Sequence, residues 1–272
     1  MEDVRYRLDD LRRFASTLLA CAGLAPVRAS ALATHLLWYE AAGLPEFGLA
    51  SLAGWLERIE GRAVDPAAEG RVTGEMTGTA VFDGQNGVPP LVLARAAELA
   101  MEKARDAGLG LTRVHHLGSA GPVAAIAAEL AVGPYVGAVL GHDGSWALAL
   151  PAPEGLPALF DSSLTSPSNA ILPDGSLAWA TALVPEGGWL VGAIAVAALE
   201  PLGTFHERIG EWLHRQPESA AALLPAAWEA RRRAAREHGV DVRPAVWEGL
   251  APWIERAHVA RPATFRSADA NP

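Results

Sequence analysis

The sequence predicts an α/β fold, a mixed β-sheet carrying helices, with a helical unit ahead of it. Three observations carry this. Apolar residues recur at helical spacing through roughly the first sixty positions. From Thr79 to about Ala131, strand and helix patterns alternate. Beyond Ala131, the apolar runs Tyr135–Leu140, Trp146–Leu150 and Ala158–Phe160 follow one another with only short breaks, rich in glycine and proline, between them. Alternation implies parallel strands joined by helical crossovers, whereas strands without intervening helices pair antiparallel. A sheet with both is mixed.

Each element has its own signal. Leu8, Leu11, Phe14, Ala15, Leu18 and Leu19 line one helix face, Gly23 stops that helix, and Pro26 lies just beyond. A second helix covers about Val27–Ala42, with Leu32, Leu36 and Tyr39 along one side. Gly43-Leu44-Pro45-Glu46-Phe47-Gly48 is a turn, and Leu49–Ile59 a third helix. Gly61–Gly78 is polar and reads as a linker or long loop. Thr79–Asp83 is a strand closed by the turn Asp83-Gly84, Leu91–Ala107 a helix ended by Gly108, and Leu109–Val114 a strand. Gly118 and Gly121 then permit a tight turn, and Pro122 suits the first turn of a helix running to about Ala131. Ser166–Gly175 is a loop and Leu177–Val184 a strand. Gly187-Gly188 opens a very apolar helix to about Leu199, expected to be buried and near a subunit contact. Thr204-Phe205-His206-Glu207 fits a capping box. Ala220–His238 is helical with a solvent face at Arg231, Arg232, Arg233 and Arg236. Pro244–His258 is a last helix with Trp247, Leu250 and Ile254 on one side, and the tail after Arg261 reads as frayed.

With 272 residues, half of them hydrophobic, the chain can build a sizeable core. Its net charge of −9 argues against nucleic-acid and anionic-membrane surfaces. No secretory signal and no membrane span are read, so a cytoplasmic protein is the simple expectation. Cys21 is the single cysteine, which excludes an intrachain disulfide; in an apolar helix it is expected to be buried and inert.

The sequence carries no P-loop, no G-x-G-x-x-G after a strand and no G-x-S-x-G elbow. Histidines at H-x-x-x-H spacing with a carboxylate are absent, so no metal site is expected. Polar residues remain at strand ends. His115 and His116 follow one strand, and if that strand continues they point to opposite faces. His142-Asp143, flanked by Gly141 and Gly144, follows another, and Asp161 a third. Glu46 lies in the turn between helices. His116 with Asp161 or Asp143 makes a workable acid–base set if they meet. His142 and Asp143 read as solvated loop residues before they read as a site. The glycine turn after His116 fits equally a ligand site or a plain crossover with polar residues near its surface.

Taken together, several stretches resemble the malate/L-lactate dehydrogenase family that is unrelated to Rossmann dehydrogenases. Asp83-Gly84-Gln85-Asn86-Gly87 with Ala100-Met101, Lys103-Ala104 and Gly108 is similar to the run before that family's glycine loop. His116-Leu117-Gly118-Ser119-Ala120-Gly121 looks like its H-F-G-x-A-G. Phe160-Asp161-Ser162-Ser163 resembles D-x-A-T-S, and Pro185-Glu186-Gly187-Gly188 resembles P-x-G-G. Glu229–Gly239 with Trp247 and Leu250 resembles the C-terminal helices. The resemblance implies a non-Rossmann three-layer α/β/α fold with a helical unit built from both termini. The corresponding division is 1–60 as the N-terminal helical unit, 61–200 as the sheet domain and 201–272 as helices packing with the first unit. It further implies a dimer; a homodimer is expected, or, for a non-catalytic homologue, a heteromer with a relative. NADH or NADPH is expected, with His116, Gly118, Ser119 and Gly121 as cofactor-binding positions, and hydride transfer to a 2-oxo acid or cyclic imino acid as the reaction.

The chain departs from the family at functional positions. Where the family has R-G-x-x-S-H-G-x-x-R, with a proton-donating histidine and a carboxylate-binding arginine, this chain has Phe47 and Ser51. Val191 replaces the lysine of G-G-x-K-G, and Gly141–Leu150 is too short for the family's glycine-rich loop. Two readings follow. One is a divergent oxidoreductase with an altered substrate, using His116 and Asp161, with Glu46 or His115 supplying a substitute acid. The other is a non-catalytic homologue acting as a binding or scaffold partner.

Overall fold

The computed structural model describes residues 5–153, 156–163, 184, 187–215 and 224–264. In chain order the elements are β1 (Arg5–Tyr6), α1 (Leu8–Cys21), α2 (Pro26–Ala42), α3 (Leu52–Glu60), β2 (Arg71–Glu75), β3 (Thr79–Asp83), α4 (Pro89–Ala107) and β4 (Leu109–His115). Then come α5 (Ala124–Leu130), β5 (Tyr135–Gly141), β6 (Trp146–Leu150), β7 (Ala158–Asp161), β8 (Trp189–Ala195), α6 (Leu202–His214), α7 (Pro225–His238), β9 (Val240–Asp241) and α8 (Pro244–Ala257). The expected loop at Ser166–Gly175, Leu177–Val184 apart from Val184, and Pro185-Glu186 lie outside the described residues. The chain divides into two units, Met1–Ala67 with Trp228–Pro272, and Ala68–Ala227. No described helix is long and apolar enough to cross a membrane.

The second unit is a seven-stranded mixed sheet in the order β2-β3-β4-β8-β5-β6-β7. β3 and β4 pair parallel; every other neighbouring pair is antiparallel. Helices cover both faces. α4 lies on β3, β4 and β8, and α5 lies beside it on β5, β6 and β7. On the other face Phe205 and Ile209 of α6 pack with Val196, Val136 and Leu150. Trp212 of α6 meets Phe160 edge-on at 5.4 Å between ring centroids. The fold is therefore three-layer α/β/α and non-Rossmann, as the family resemblance implies.

The largest correction concerns Gly187–Leu199. It is not a helix: Trp189–Ala195 is β8, at the centre of the sheet. It pairs with β4 from Val114 to Leu109 and with β5 from Gly141 to Tyr135. A short, uniformly apolar run has no period to read, and strand and buried helix are then equally consistent with it. The β-branched Val191 and Ile194 and two waiting strand edges decide for the strand. Other readings need smaller corrections. Gly61–Gly78 contains the edge strand β2, which is solvent-facing and so lacks an apolar signal. Thr204 lies inside the first turn of α6, which begins at Leu202 after Pro201, so there is no capping box. α5 begins at Ala124, after Val123 as N-cap, which leaves Pro122 outside it. Cys21 ends α1 and is exposed. Arg231 lies with its Cδ 2.7 Å from where a Cβ on Gly43 would be, and Arg232 lies over the Trp228 ring, so the arginine face is partly packed.

In the first unit the two-stranded ribbon β1–β9 pairs Tyr6 with Val240. Trp247 of α8 packs on Tyr6 and Phe14, and Trp38 of α2 packs on Trp228 of α7. Glu40 is buried at the end of α2, where its Oε1 accepts the Leu49 backbone N–H at 2.6 Å. Burial pushes its carboxyl up to about 7; the Leu49 N–H and the Arg243 charge work against that shift, and Glu46 adds to it. In the unfolded chain the group titrates near 4.5. Between these values the folded chain binds the extra proton, so stability falls as pH rises from about 4.5 to 7, then levels, by about 3 kcal/mol in all. Glu40→Gln keeps the acceptor for Leu49 without the charge. It should stabilise the unit by about 2–3 kcal/mol at pH 8 and leave it unchanged at pH 4. Urea unfolding at both pH values tests this; a difference independent of pH counts against it.

Candidate functional site at one edge of the sheet

The strand directions bring the polar strand ends together along one edge. β3, β4, β5 and β7 all run the same way, and β8 runs opposite to β4 and β5. Asp83, His115-His116, Gly141-His142-Asp143 and Asp161 therefore lie at the same edge as the start of β8. Backbone bonds tie the loops there. Gly84 N–H donates to the His115 carbonyl (2.8 Å), Asn86 N–H to the His116 carbonyl (2.9 Å), Leu117 N–H to Gly187 (3.2 Å) and His142 N–H to Gly188 (3.1 Å). The Trp189 indole Nε1 donates to the Gly118 carbonyl at 3.1 Å. The backbones approach closely at Gly84: a Cβ there would stand 3.1 Å from both the His115 and the His116 carbonyl oxygens, a tight fit.

His115 and His116 do not point to opposite faces. His116 has φ +51°, in the left-handed region, and this turns the chain at the strand's end. Both rings then lie on one side, 4.4 Å apart and nearly perpendicular. Their Nδ1 atoms are 3.0 Å apart, and His116 Nδ1 is also 3.0 Å from Asp83 Oδ1. Asp83 Oδ1 accepts the Gln85 N–H as well, and Oδ2 faces Arg71 Nη2 at 3.5 Å. The His116 hydrogen bond holds the Asp83 carboxyl below the usual range; burial opposes this, while the Gln85 N–H and the charges of His115 and His116 favour it. Asp83 was not among the sequence candidates. Its place at the end of the strand parallel to β4 was the signal that could have found it.

The structure thus gives His116 the partner Asp83. Asp161 is buried and turned into the start of α5, where Oδ2 accepts Val123 N–H and Ala124 N–H, both at 2.7 Å. Its Oδ1 accepts the Ser163 N–H at 2.8 Å and the Ser163 hydroxyl. Burial raises its pKa against these four bonds. Burial pushes the Asp143 carboxyl up, but hydrogen bonds from Ser145 and Ser119 and the His142 charge together bring it below its usual range; the Ser119 bond joins the glycine turn to the β5–β6 hairpin. Gly121, with φ +74°, has no neighbour within 4 Å of a built Cβ, so the turn is open there.

In the first unit, Glu46 is exposed in the turn after α2. Phe47 packs on the Tyr39 ring at 6.1 Å. The Ser51 hydroxyl donates to backbone carbonyls, to Gly48 at 2.8 Å and to Phe47 at 3.1 Å. Val191 is wholly buried in β8. Lys103, the single lysine, is also buried, with Nζ bonded to Glu75 Oε1 at 2.9 Å and to the Met76 carbonyl at 2.7 Å. For a nicotinamide dinucleotide the fit is therefore partial. His116 and the exposed turn Gly118–Gly121 would hold one end of it, but no lysine is available for its diphosphate.

The chain matches the family model for malate/L-lactate dehydrogenase over residues 6–172. The malate dehydrogenases of Pyrococcus abyssi and Pyrococcus horikoshii are each 30% identical to it over 129 residues, 46% of this chain and 36% of theirs. That alignment spans about a third of those relatives' length. The solved malate dehydrogenase from Pyrococcus horikoshii OT3 superposes with a TM-score of 0.78 at 19% identity, covering 96% of this chain and 98% of that one. Sulfolactate dehydrogenase from Methanocaldococcus jannaschii gives 0.73 at 14% identity, covering 97% and 99%. The Δ1-piperideine-2-carboxylate reductase from Pseudomonas syringae gives 0.75 at 16% identity, covering 92% and 99%.

Proposed function

Since the chain belongs to the malate/L-lactate dehydrogenase family, we propose that it is a divergent NAD(P)-dependent oxidoreductase whose substrate differs from those of its relatives. The observation that carries this is the ordered pair Asp83–His116 beside the open turn Gly118–Gly121. Asp83 engages His116 at Nδ1 and leaves Nε2 as the nitrogen presented to a ligand. With Nδ1–H donating to the Asp83 carboxylate, Nε2 of the neutral ring is an acceptor, and the protonated ring is an oriented donor for a carbonyl or imine nitrogen. The reduced nicotinamide, when bound, supplies the hydride. Glu46, next to Phe47 in the chain, is the proposed substitute acid. Asp161 supports the site by fixing the start of α5. The substrate is a small molecule, the assembly a homodimer or a heteromer with a relative as the family resemblance implies, and the compartment the cytoplasm.

No appreciable reduction of pyruvate, oxaloacetate or similar small 2-oxo acids is expected. A positioned acid is worth roughly 10²–10⁴ in rate, and Phe47 supplies none. The Ser51 hydroxyl is engaged with backbone carbonyls and makes no bidentate clamp on a carboxylate. Cofactor binding should be weak, because losing a charge-assisted contact costs about 1.5–3 kcal/mol, roughly ten- to hundredfold. The test is a steady-state panel of 2-oxo acids and cyclic imines with both cofactors, repeated with His116→Ala, alongside a fluorescence titration of NADH and NADPH. Robust turnover of a simple 2-oxo acid refutes the altered specificity, and cofactor binding at or below micromolar refutes the weakened site. Turnover indifferent to His116→Ala removes that residue from the mechanism.

A second reading, a non-catalytic homologue serving as a binding or scaffold partner, is favoured by the joint replacement at Phe47, Ser51 and Val191. Silence across the panel, together with absent cofactor binding, decides for it.

A further inference from the structure

We propose that Asp83, His115 and His116 form a binding site for a divalent transition-metal ion, with His115 Nδ1, His116 Nδ1 and Asp83 Oδ1 as its ligand atoms. These atoms are separated by 3.0 Å (His115 to His116), 3.0 Å (His116 to Asp83) and 3.9 Å (His115 to Asp83). A point about 2.0 Å from all three atoms, the length of a zinc–imidazole or zinc–carboxylate bond, lies in their plane with the His115 and Asp83 atoms nearly opposite, an arrangement that suits a five- or six-coordinate ion with further positions open. The rings are nearly perpendicular, at 79°, with both Nδ1 atoms within 4 Å of Asp83 Oδ1.

The cluster is built into the fold. Asp83 and His115 are register partners at the ends of the parallel pair β3–β4, which fixes two of the ligands. The left-handed backbone of His116 brings the third to the same side. The backbone bonds from Gly84 and Asn86 hold that conformation, which an extended strand would not provide. Arg71, on the other carboxylate oxygen, orients Asp83 without occupying the ligand atom.

Chemistry selects the class of ion. Two imidazoles and one carboxylate suit zinc, cobalt, nickel or ferrous iron, whereas magnesium and calcium take oxygen ligands. Exposure selects the type of site. The side chains of Asp83, His115 and His116 are 12%, 23% and 71% exposed, so an ion there keeps positions open to water or a ligand. Structural zinc sites have four protein ligands, and a three-ligand site with open positions is of the catalytic type. An ion bound through both Nδ1 atoms would take the place of the Asp83–His116 hydrogen bond used in the proposed function and leave the His116 Nε2 outward; metal titration reads the first arrangement and cofactor titration the second, so the failure of one is distinguishable from the failure of the other.

The experiment uses untagged full-length protein stripped with chelator, titrated calorimetrically with Zn(II) and spectroscopically with Co(II), with Mg(II) for comparison. One Zn(II) and one Co(II) per chain are expected, with Co(II) absorption of nitrogen–oxygen ligation and no matching Mg(II) affinity. His115→Phe and Asp83→Asn should each weaken binding at least about tenfold, since even loss of an outer-shell partner commonly costs 10–100-fold. On the unmutated protein, Zn(II) should protect His115 and His116 from diethylpyrocarbonate, read by peptide mass. Absent binding, undiminished affinity in both variants, equal Mg(II) affinity or unprotected histidines would each overturn the site.

Discussion

Gly110→Ala should destabilise the sheet unit by about 4 kcal/mol or more, enough to prevent its folding. A Cβ at Gly110 would stand 1.8 Å from the Ala100 carbonyl oxygen and 2.8 Å from the Ala104 nitrogen, both backbone atoms of α4. Over-packing against side chains costs about 1–3 kcal/mol because side chains can move. A helix backbone moves only as a unit, and α4 is held by its buried small residues Ala96, Ala97, Ala100 and Ala104. The whole helix would have to lift from β4. Gly54→Ala, on the exposed side of α3 with nothing within 4 Å, is the contrasting substitution. It should stabilise by up to about 1 kcal/mol. Denaturant unfolding of both proteins tests the pair. A Gly110→Ala chain within about 1 kcal/mol of the parent refutes the close approach of α4 to β4.

Asp161→Ala should destabilise the same unit by about 3–5 kcal/mol. The change removes the acceptor of Val123 N–H and Ala124 N–H, both on buried residues at the start of α5. Each orphaned buried donor costs about 1–3 kcal/mol, and the link from β7 to α5 is lost with them. Asp161→Asn is milder but still costly, since its single oxygen cannot serve α5 and Ser163 together. A merely catalytic aspartate would leave unfolding unchanged, so denaturant melts of Asp161→Ala separate the two roles. Unchanged stability would falsify the structural assignment.

The sequence made the helices legible where one face meets a core: Leu11, Leu18, Leu32 and Leu36 keep helical spacing and are buried. β3 through β7 were legible from short apolar runs between turn residues. What failed was whatever depends on partners distant in the chain. Trp189–Ala195 has no internal pattern, and only the open edges of β4 and β5 make it a strand. β2 faces solvent and shows no apolar alternation. The site failed for a local reason as well. Period-two reasoning sends His115 and His116 apart, and a single positive φ at His116 undoes it. His116 and Asp161 were found as polar residues at strand ends, but their partners, Asp83 and the start of α5, follow only from strand order.

The position of β8 also dictates the order in which this chain can assemble. Synthesis delivers β2, β3 and β4 first, then β5, β6 and β7, and the strand that separates these two groups only afterwards. Until Trp189–Ala195 has left the ribosome, β4 and β5 each carry a raw edge of unpaired N–H and C=O groups, and among the described elements it is the packing of α4 beside α5 that joins the two half-sheets. Such edges template aggregation. The first unit waits longer still, since Met1–Ala67 is completed only by residues from Trp228 onward. A nascent or truncated chain ending before β8 therefore keeps two open strand edges, and completing the sheet is a late insertion, slow by its long sequence separations.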